Sequence, residues 1–170
     1  LENGARGVLT VCIACGMAGM IVGTVTLTGL GLKLATGLAA LAGNNIYLMM
    51  FFTMLASIVL GMGVPTTANY LITSTICAPA LISMLCMRNG LDAATPAIIM
   101  GAHLFVFYFG IIADITPPVA LAAMAGAAIA KAEPFKTGVT ATRIAIGAFI
   151  VPYIFVLNPS MLLIDAAPLD

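Results

Sequence analysis

Two short stretches combine residues that break helices with hydroxyl side chains, in otherwise apolar surroundings. The first is Gly-Met-Gly-Val-Pro-Thr-Thr at residues 61–67, and the second is Asp-Ile-Thr-Pro-Pro at residues 114–118. Proline removes a backbone donor and disfavours helix in the residue before it, so no helix runs undisturbed through either stretch. Interrupted membrane helices leave carbonyls and helix N-termini free, which bind cations and anionic groups respectively. Further oxygen ligands that suit a hard cation come from Thr66, Thr67, Thr116 and Asn69.

Each break also has a purely structural interpretation, in which proline and threonine only kink packed helices and threonine bonds to its own backbone. That interpretation is adequate for one break, whereas two breaks in one membrane unit favour a binding site. Asp114 is the only acid far from a predicted membrane boundary, and a carboxylate inside a membrane is a functional hypothesis by default. It could hold a cation, titrate, or cap the helix that follows the break.

The remaining reactive side chains give weaker signals. His103 is a candidate proton relay, although a lone histidine in an apolar span is more often bonded to a neighbouring carbonyl. Cys12 and Cys15 form a CxxC inside an apolar run, with no second CxxC and one histidine in the chain, so a zinc or redox site is not expected. No phosphate-binding loop, HExxH or serine triad order is present, and we expect no enzymatic activity and no cofactor.

The composition fixes the class of protein. Hydrophobic residues make up 62% of the 170 residues and charged residues 7%, with a mean hydropathy of +1.19. Soluble domains have about 45–50% apolar and about 25% charged residues, so the sequence predicts an integral membrane protein. Six Lys and Arg balance six Asp and Glu, which leaves no basic patch and excludes nucleic-acid binding.

We predict a single transmembrane domain over residues 1–170. The positions of the charges and breaks divide it into four units. The predicted units are span A at residues 8–32, a re-entrant hairpin at 46–83, a broken helix C at 93–130 and span D at 144–164. A helix over residues 46–60 is about 22 Å long, which is short for a span. The fold class is therefore all-α, with multiple spans, a re-entrant hairpin and a broken helix. Two complete spans joined by a tight turn remain the alternative to the hairpin.

Span A also carries a GxxxG pattern at Gly19 and Gly23, for which a general packing face is the alternative to a dimerisation motif. Counting Lys and Arg orients the chain, because cytoplasmic loops carry the excess of positive charge. The predicted cytoplasmic group is Arg6, Lys131, Lys136 and Arg143, and the predicted exterior group is Lys33 and Arg88. The chain starts at Leu1 rather than at Met, so we expect a piece of a longer protein.

Three segments resemble a known family. They are GMGVPTTANYLITSTICAPAL at residues 61–81, HLFVFYFGIIADITPPVALAA at 103–123 and VPYIFVLNPSMLL at 151–163. The sequence is similar to the large permease component (DctM-like) of tripartite ATP-independent periplasmic (TRAP) transporters, in the branch in which small and large permease subunits are fused. It resembles only the second of two inverted halves, so the remainder of the permease chain is an expected partner.

The resemblance implies a secondary transporter in a bacterial or archaeal inner membrane that imports an organic anion such as a dicarboxylate. A periplasmic solute-binding protein would deliver the anion, and a sodium or proton gradient would drive its import, within membrane lipid. By the resemblance, the cation site comprises Gly61, Gly63, Thr66, Thr67, Thr116 and Pro117. Asp114 is added to this set as an intramembrane carboxylate, and its place before ITPP leaves sodium or proton coupling open. The residues assigned to the substrate site are Asn69, Pro65 and Pro118. Another ion-coupled carrier, a channel and a non-transporting membrane scaffold remain the alternatives.

Overall fold

The computed structural model describes residues 12–13, 16–17, 19–20, 23–24, 27–43, 45–64 and 66–164. Within these ranges every regular element is a helix. The α-helices are α1 Leu30–Ala42, α2 Ile46–Gly61, α3 Thr66–Ile76, α4 Ala78–Asn89, α5 Pro96–Ile112, α6 Leu121–Ala130, α7 Pro134–Ile144 and α8 Val151–Leu157. Short 3-10 helices cover Ala113–Ile115, Ala145–Phe149 and Pro159–Leu162.

Two helical segments of the described chain are long and apolar enough to cross a membrane. They are Pro96–Ile115 and Pro134–Leu157. Helices α3 and α4 are bent by 44° relative to each other, and they form a third candidate if the pair is one span. Shorter apolar helices are α2 and α6. The chain is therefore an all-α membrane protein, which confirms the fold class predicted from its composition.

The region predicted as a hairpin consists of α2 and the bent pair α3–α4. The side chain of Asn45 accepts a hydrogen bond from the Tyr47 amide (2.9 Å), which fixes the start of α2. At the bend between α3 and α4, Pro79 lies in the first turn of α4, where proline is compatible with the start of a new helix but not with continuation of α3. The second arm runs beyond residue 83, because α4 ends only where Gly90 adopts a left-handed conformation (φ 65°).

Helix α5 forms the centre of the core and contacts α2, α3, α4 and α8. Its start is capped by Thr95, whose hydroxyl accepts from the Ile98 amide, and Pro96 occupies the first turn. The largest fully buried side chains of the core include Phe105 and Phe109 of α5, Met49 and Met50 of α2 and Leu81 of α4. Phe105 and Phe109 contact each other edge to face, with ring centroids 4.8 Å apart. This packing surrounds α5 and fixes where its C-terminal end lies.

The last predicted span starts earlier than expected. Its helix begins at Pro134 rather than at residue 144, through a region predicted as a polar connector. Proline in the first turn favours a helix start, and the Lys136–Glu133 ion pair (2.8 Å) lies on the exposed side, so these charges do not interrupt the helix. Predicted span A is described only in part, because 11 of its 25 residues lie outside the described residues. Of its GxxxG pair, neither Gly19 nor Gly23 has a described atom within 4 Å of an added Cβ.

Candidate functional site

The end of α2 and the end of α5 meet at the side chain of Asn69 on α3. A Cβ added to Gly61 would lie 2.8 Å from Asn69 Nδ2, 2.9 Å from the Gly110 carbonyl oxygen and 3.1 Å from Ala113 Cβ. Distances below 3.0 Å exclude a Cβ unless neighbours move, so only glycine allows this approach. The hairpin tip and the start of the helix break are therefore in direct contact.

Asn69 is enclosed on a second side by Gly110 of α5. A Cβ added to Gly110 would lie 2.5 Å from Asn69 Nδ2, 2.9 Å from Oδ1 and 3.0 Å from Cγ. The Asn69 side chain is only 2% exposed, and its Oδ1 has no hydrogen-bond partner among the described residues. A buried amide oxygen of this kind costs free energy until a donor, a water molecule or a cation satisfies it.

The tip itself faces the loop of the broken helix. Gly63 has a φ of 74°, a conformation that a side chain rarely adopts, and a Cβ there would meet only Val119 Cγ1, at 3.9 Å. Thr66 and Thr67 begin α3, and both are exposed. They lie on the same tip as Gly61 and Gly63 but no described contact joins their side chains to the cluster around Asn69. Pro65, assigned to the substrate site, lies outside the described residues.

The break in the second helix occupies residues 113–120. After the 3-10 helix Ala113–Ile115, Thr116 is extended (φ −102°, ψ 124°), the Pro117–Pro118 peptide bond is cis, and Ala120 is left-handed (φ 40°). Pro117 is partly buried and Pro118 is exposed. The two helical arms, α5 and α6, are thus separated by a segment of non-helical backbone.

The break leaves fewer free carbonyls than the proline pair suggests. The Ala113 carbonyl accepts from the Thr116 amide (3.2 Å), the Thr116 carbonyl accepts from the Ala120 amide (3.2 Å), and the Ile112 carbonyl accepts from the Thr116 hydroxyl (2.7 Å). The last bond is the one expected if threonine only bonds to its own helix, because Thr116 donates to the carbonyl four residues earlier. It also orients the hydroxyl, since a donated proton leaves the oxygen lone pairs for another partner.

Asp114 lies in the 3-10 turn and is partly exposed. Among the described residues no ion pair includes it. The structure gives no support to the hypothesis that Asp114 caps the following helix, because the N-cap of α6 is Ala120 and no described hydrogen bond joins the Asp114 carboxylate to that helix start. A cation-binding or titrating role for Asp114 stays a prediction.

His103 has a hydrogen-bond partner that differs from the expected carbonyl. Its Nδ1 lies 3.0 Å from the Tyr70 hydroxyl, which joins α5 to α3 one residue beyond Asn69. The two side chains line an open pocket of about 190 Å³ with Met100, Leu104 and Phe107. The proton-relay hypothesis for His103 therefore has a titratable neighbour, but the structure does not join this pair to Asp114.

Sequence reasoning missed several residues that shape this region. Gly110 is one of them. A glycine inside a helix lowers helix stability by about 1 kcal/mol relative to alanine, so its presence in a strongly apolar helix could have indicated a close packing contact. Thr53 and Ser57 of α2 are two others, since both are 0% exposed and their hydroxyls lack a described hydrogen-bond partner. Ser57 faces the thiol of Cys77, though without a hydrogen bond of good geometry.

The cysteines and acids do not assemble a metal site in the described part of the chain. No group of three or more His, Cys, Asp or Glu side chains there could hold a metal ion. Cys12 of the CxxC is exposed and Cys15 lies outside the described residues, whereas Cys77 is buried at the bend between α3 and α4. The oxygen-rich cluster at Asn69 is thus the candidate site with the best geometric support.

Comparison with known proteins agrees with the resemblance found in the sequence. Residues 1–169 match the family model of the tripartite ATP-independent periplasmic transporter, DctM component. This is a family of transporters rather than of enzymes. No curated protein and no solved structure matches the chain.

Proposed function

Because the chain belongs to the DctM component family of tripartite ATP-independent periplasmic transporters, we propose that it forms part of a permease that imports a small organic anion against its gradient. A dicarboxylate is the proposed class of substrate, and sodium is the proposed coupling ion, with a proton as the alternative. The single observation that carries the proposal is the contact of the hairpin tip with the helix break around Asn69. The two interrupted elements meet there, and the substrate and ion sites of many secondary transporters are formed by interrupted helices.

The chemistry around Asn69 suits a hard monovalent cation. Its unpartnered amide oxygen is buried between Gly61 and Gly110, and the Gly110 carbonyl oxygen lies against the same tip. The Thr116 hydroxyl at the same break already donates its proton and has its lone pairs available, although no described contact joins it to Asn69. Neutral oxygens of this kind bind a cation without the cost of burying a fixed negative charge. Asp114, at the same break, is the proposed residue for a proton or a second charge.

The anion is proposed to bind beside this cation, at the exposed start of α3. The first amides of a helix are unpaired and carry a partial positive charge, which favours a carboxylate. Thr66 and Thr67 occupy that first turn and are exposed. No Lys or Arg lies within residues 61–67 or 114–118, so the bound cation and the helix terminus supply the positive charge. Cation and anion would then bind cooperatively.

The proposed partners are the remainder of the permease chain and a periplasmic binding protein that delivers the anion. The proposed location is the inner membrane, with the tip reached from the exterior. These partners determine the test, because uptake requires the full-length permease reconstituted in proteoliposomes. We expect uptake of a labelled dicarboxylate only with the binding protein outside and an inward sodium gradient, or a proton gradient in the alternative.

Asn69→Ala is the decisive variant, and the exposed Asn158→Ala is its matched control. We expect Asn69→Ala to raise the cation concentration for half-maximal uptake by at least about tenfold, because one ligand to a charged group contributes about 1.5–3 kcal/mol. Asn158→Ala should behave as wild type. Conductance without saturable, gradient-driven uptake would instead identify a channel, and wild-type cation dependence in Asn69→Ala would contradict the proposed site.

A further inference from the structure

Helix α7 packs directly on the break in the preceding helix. Gly138 of α7 is buried, and a Cβ added there would lie 3.2 Å from Ala120 Cβ and 3.3 Å from Pro117 Cγ. These distances are tighter than ordinary van der Waals contact, so glycine at this position sets how closely α7 approaches. Pro117 and Ala120 belong to the non-helical segment between α5 and α6. Helix α7 therefore forms one wall of that segment.

One turn further along α7, Thr142 forms a hydrogen bond to the break. Its hydroxyl lies 3.0 Å from the Ile115 carbonyl oxygen, and also 3.0 Å from the Gly138 carbonyl oxygen of its own helix. In a continuous helix the Ile115 carbonyl would accept from the amide four residues later. The extended backbone that starts at Thr116 prevents this, and the Thr142 hydroxyl takes the place of that donor.

Two other threonines on α7 show that this contact is particular to Thr142. Thr137 donates to the Glu133 carbonyl (2.9 Å) and Thr140 donates to the Lys136 carbonyl (2.8 Å), both within the helix. Thr140 is exposed and Thr137 is partly buried. Thr142 alone among the three reaches a carbonyl in another element, across 27 residues of sequence.

We propose that Thr142 and Gly138 are positioning residues, through which α7 holds the break in the shape that binds the coupling ion. The proposal rests on the proposed function of this site. Thr142 occupies one lone pair of the Ile115 carbonyl oxygen and holds that carbonyl against α7. Gly138 fixes the distance of Pro117 from α7. Together they determine which oxygens of residues 113–120 stay available and how far that segment can move.

The arrangement also makes the contact reversible. A hydroxyl has one proton, and the Thr142 proton has two carbonyl acceptors at equal distance. If α7 separates from the break, the Gly138 carbonyl keeps the hydroxyl satisfied, and only the Ile115 carbonyl loses its donor. Separation therefore frees the Ile115 carbonyl oxygen from its donor without leaving the partly buried Thr142 hydroxyl unpaired.

The test compares Thr142→Val with Thr142→Ser and with the matched control Thr140→Val, all in the full-length permease. The first measurement is amide hydrogen exchange within residues 113–120, at every position except Pro117 and Pro118, which have no amide hydrogen. This exchange does not depend on transport. We expect Thr142→Val to speed this exchange by about five- to tenfold, the loss that one hydrogen bond predicts, while Thr142→Ser and Thr140→Val leave it unchanged. Equal exchange in Thr142→Val and Thr140→Val overturns the proposal.

The second measurement is the cation concentration for half-maximal uptake. We expect Thr142→Val to shift it by about fivefold or more with a similar maximal rate, and Thr142→Ser to restore it. Faster exchange with an unchanged cation requirement would make Thr142 a structural residue and overturn the positioning role. If wild-type uptake does not depend on a cation, the proposed function fails, whereas the exchange result still decides whether α7 holds the break.

Gly138→Ala is a second variant that leaves the threonine in place, with Gly101→Ala as its control. A Cβ at Gly101 would meet its nearest neighbour at 3.6 Å, which is ordinary contact. We expect Gly138→Ala to displace α7 from Pro117 and to reproduce the faster exchange of residues 113–120. Exchange equal to that of Gly101→Ala would contradict the role assigned to Gly138.

Discussion

Gly110→Ala is the sharpest perturbation of the contact between hairpin and break. The added methyl group would lie within about 3.0 Å of three atoms of one side chain, with Asn69 Nδ2 at 2.5 Å. Asn69 cannot move away freely, because it is 2% exposed and its Nδ2 also lies against Gly61. Relief therefore requires the two helices to separate.

The expected magnitude follows from comparison with Gly101, a second glycine on α5. Overpacking a tight core costs about 1–3 kcal/mol, and alanine returns about 1 kcal/mol of helix propensity at either glycine. At Gly101 the new methyl group finds ordinary contacts at 3.6–3.8 Å, so that variant keeps the propensity gain. Since propensity cancels in the comparison, Gly110→Ala should be less stable than Gly101→Ala by about 3 kcal/mol, the upper end of that range.

The assay is reversible unfolding of the purified full-length permease in mixed micelles, with both variants measured under one condition. A difference of about 3 kcal/mol corresponds to about two orders of magnitude in the folding equilibrium. The double variant Asn69→Ala/Gly110→Ala removes the atoms that clash, so it should recover much of the stability without recovering uptake. Equal stability of Gly110→Ala and Gly101→Ala would refute the close contact and the geometry of the site with it.

Three further predictions test neighbouring features. Thr53→Val should raise the free energy of unfolding by about 1 kcal/mol, because it removes a buried hydroxyl that lacks a described partner. Thr73→Val should lower the free energy of unfolding, because it removes a donated hydrogen bond of 2.9 Å. Destabilisation in Thr53→Val would reveal a partner such as bound water. Replacing Pro117 and Pro118 together with alanine should favour a continuous helix and abolish uptake while the protein still inserts, and normal cation-dependent uptake would tell against a site at this break. Asp114→Asn should weaken sodium activation if the carboxylate binds sodium, or flatten the pH dependence of uptake if it carries a proton, and unchanged profiles would exclude both roles.

The positions of the breaks could be predicted from the sequence because proline and glycine act on their own backbone. Helix α2 ends at Gly61, α3 starts at Thr66, and helical backbone stops at Ile115, all within the two stretches that the sequence singled out. The start of the last span at Pro134 was missed, since charge counting treats Lys136 as an interruption. In the fold this lysine lies on an exposed face near the start of the helix and pairs with Glu133, so it does not interrupt the helix.

The contacts between elements could not be predicted, because they depend on how helices far apart in sequence pack. Nothing local marks Gly110 as the neighbour of Asn69, or Thr142 as the donor to Ile115. The same limit explains why free carbonyls were expected at the break. Proline predicts the loss of helical donors, but only the tertiary fold supplies the replacement donor for Ile115.

The unpartnered oxygen of Asn69 connects packing to transport. A buried polar atom without a partner costs about 1–3 kcal/mol, and Asn69 Oδ1, enclosed by Gly61 and Gly110, is such an atom among the described residues. On the proposed function, a bound cation recovers that free energy only while hairpin and break stay in contact. The ion therefore favours the closed contact by its differential affinity for it, and an empty site favours separation. On this proposal, ion binding and the contact between hairpin and break occur together, because the same packing holds the Asn69 oxygen in place. Coupling then needs no charged residue at position 69.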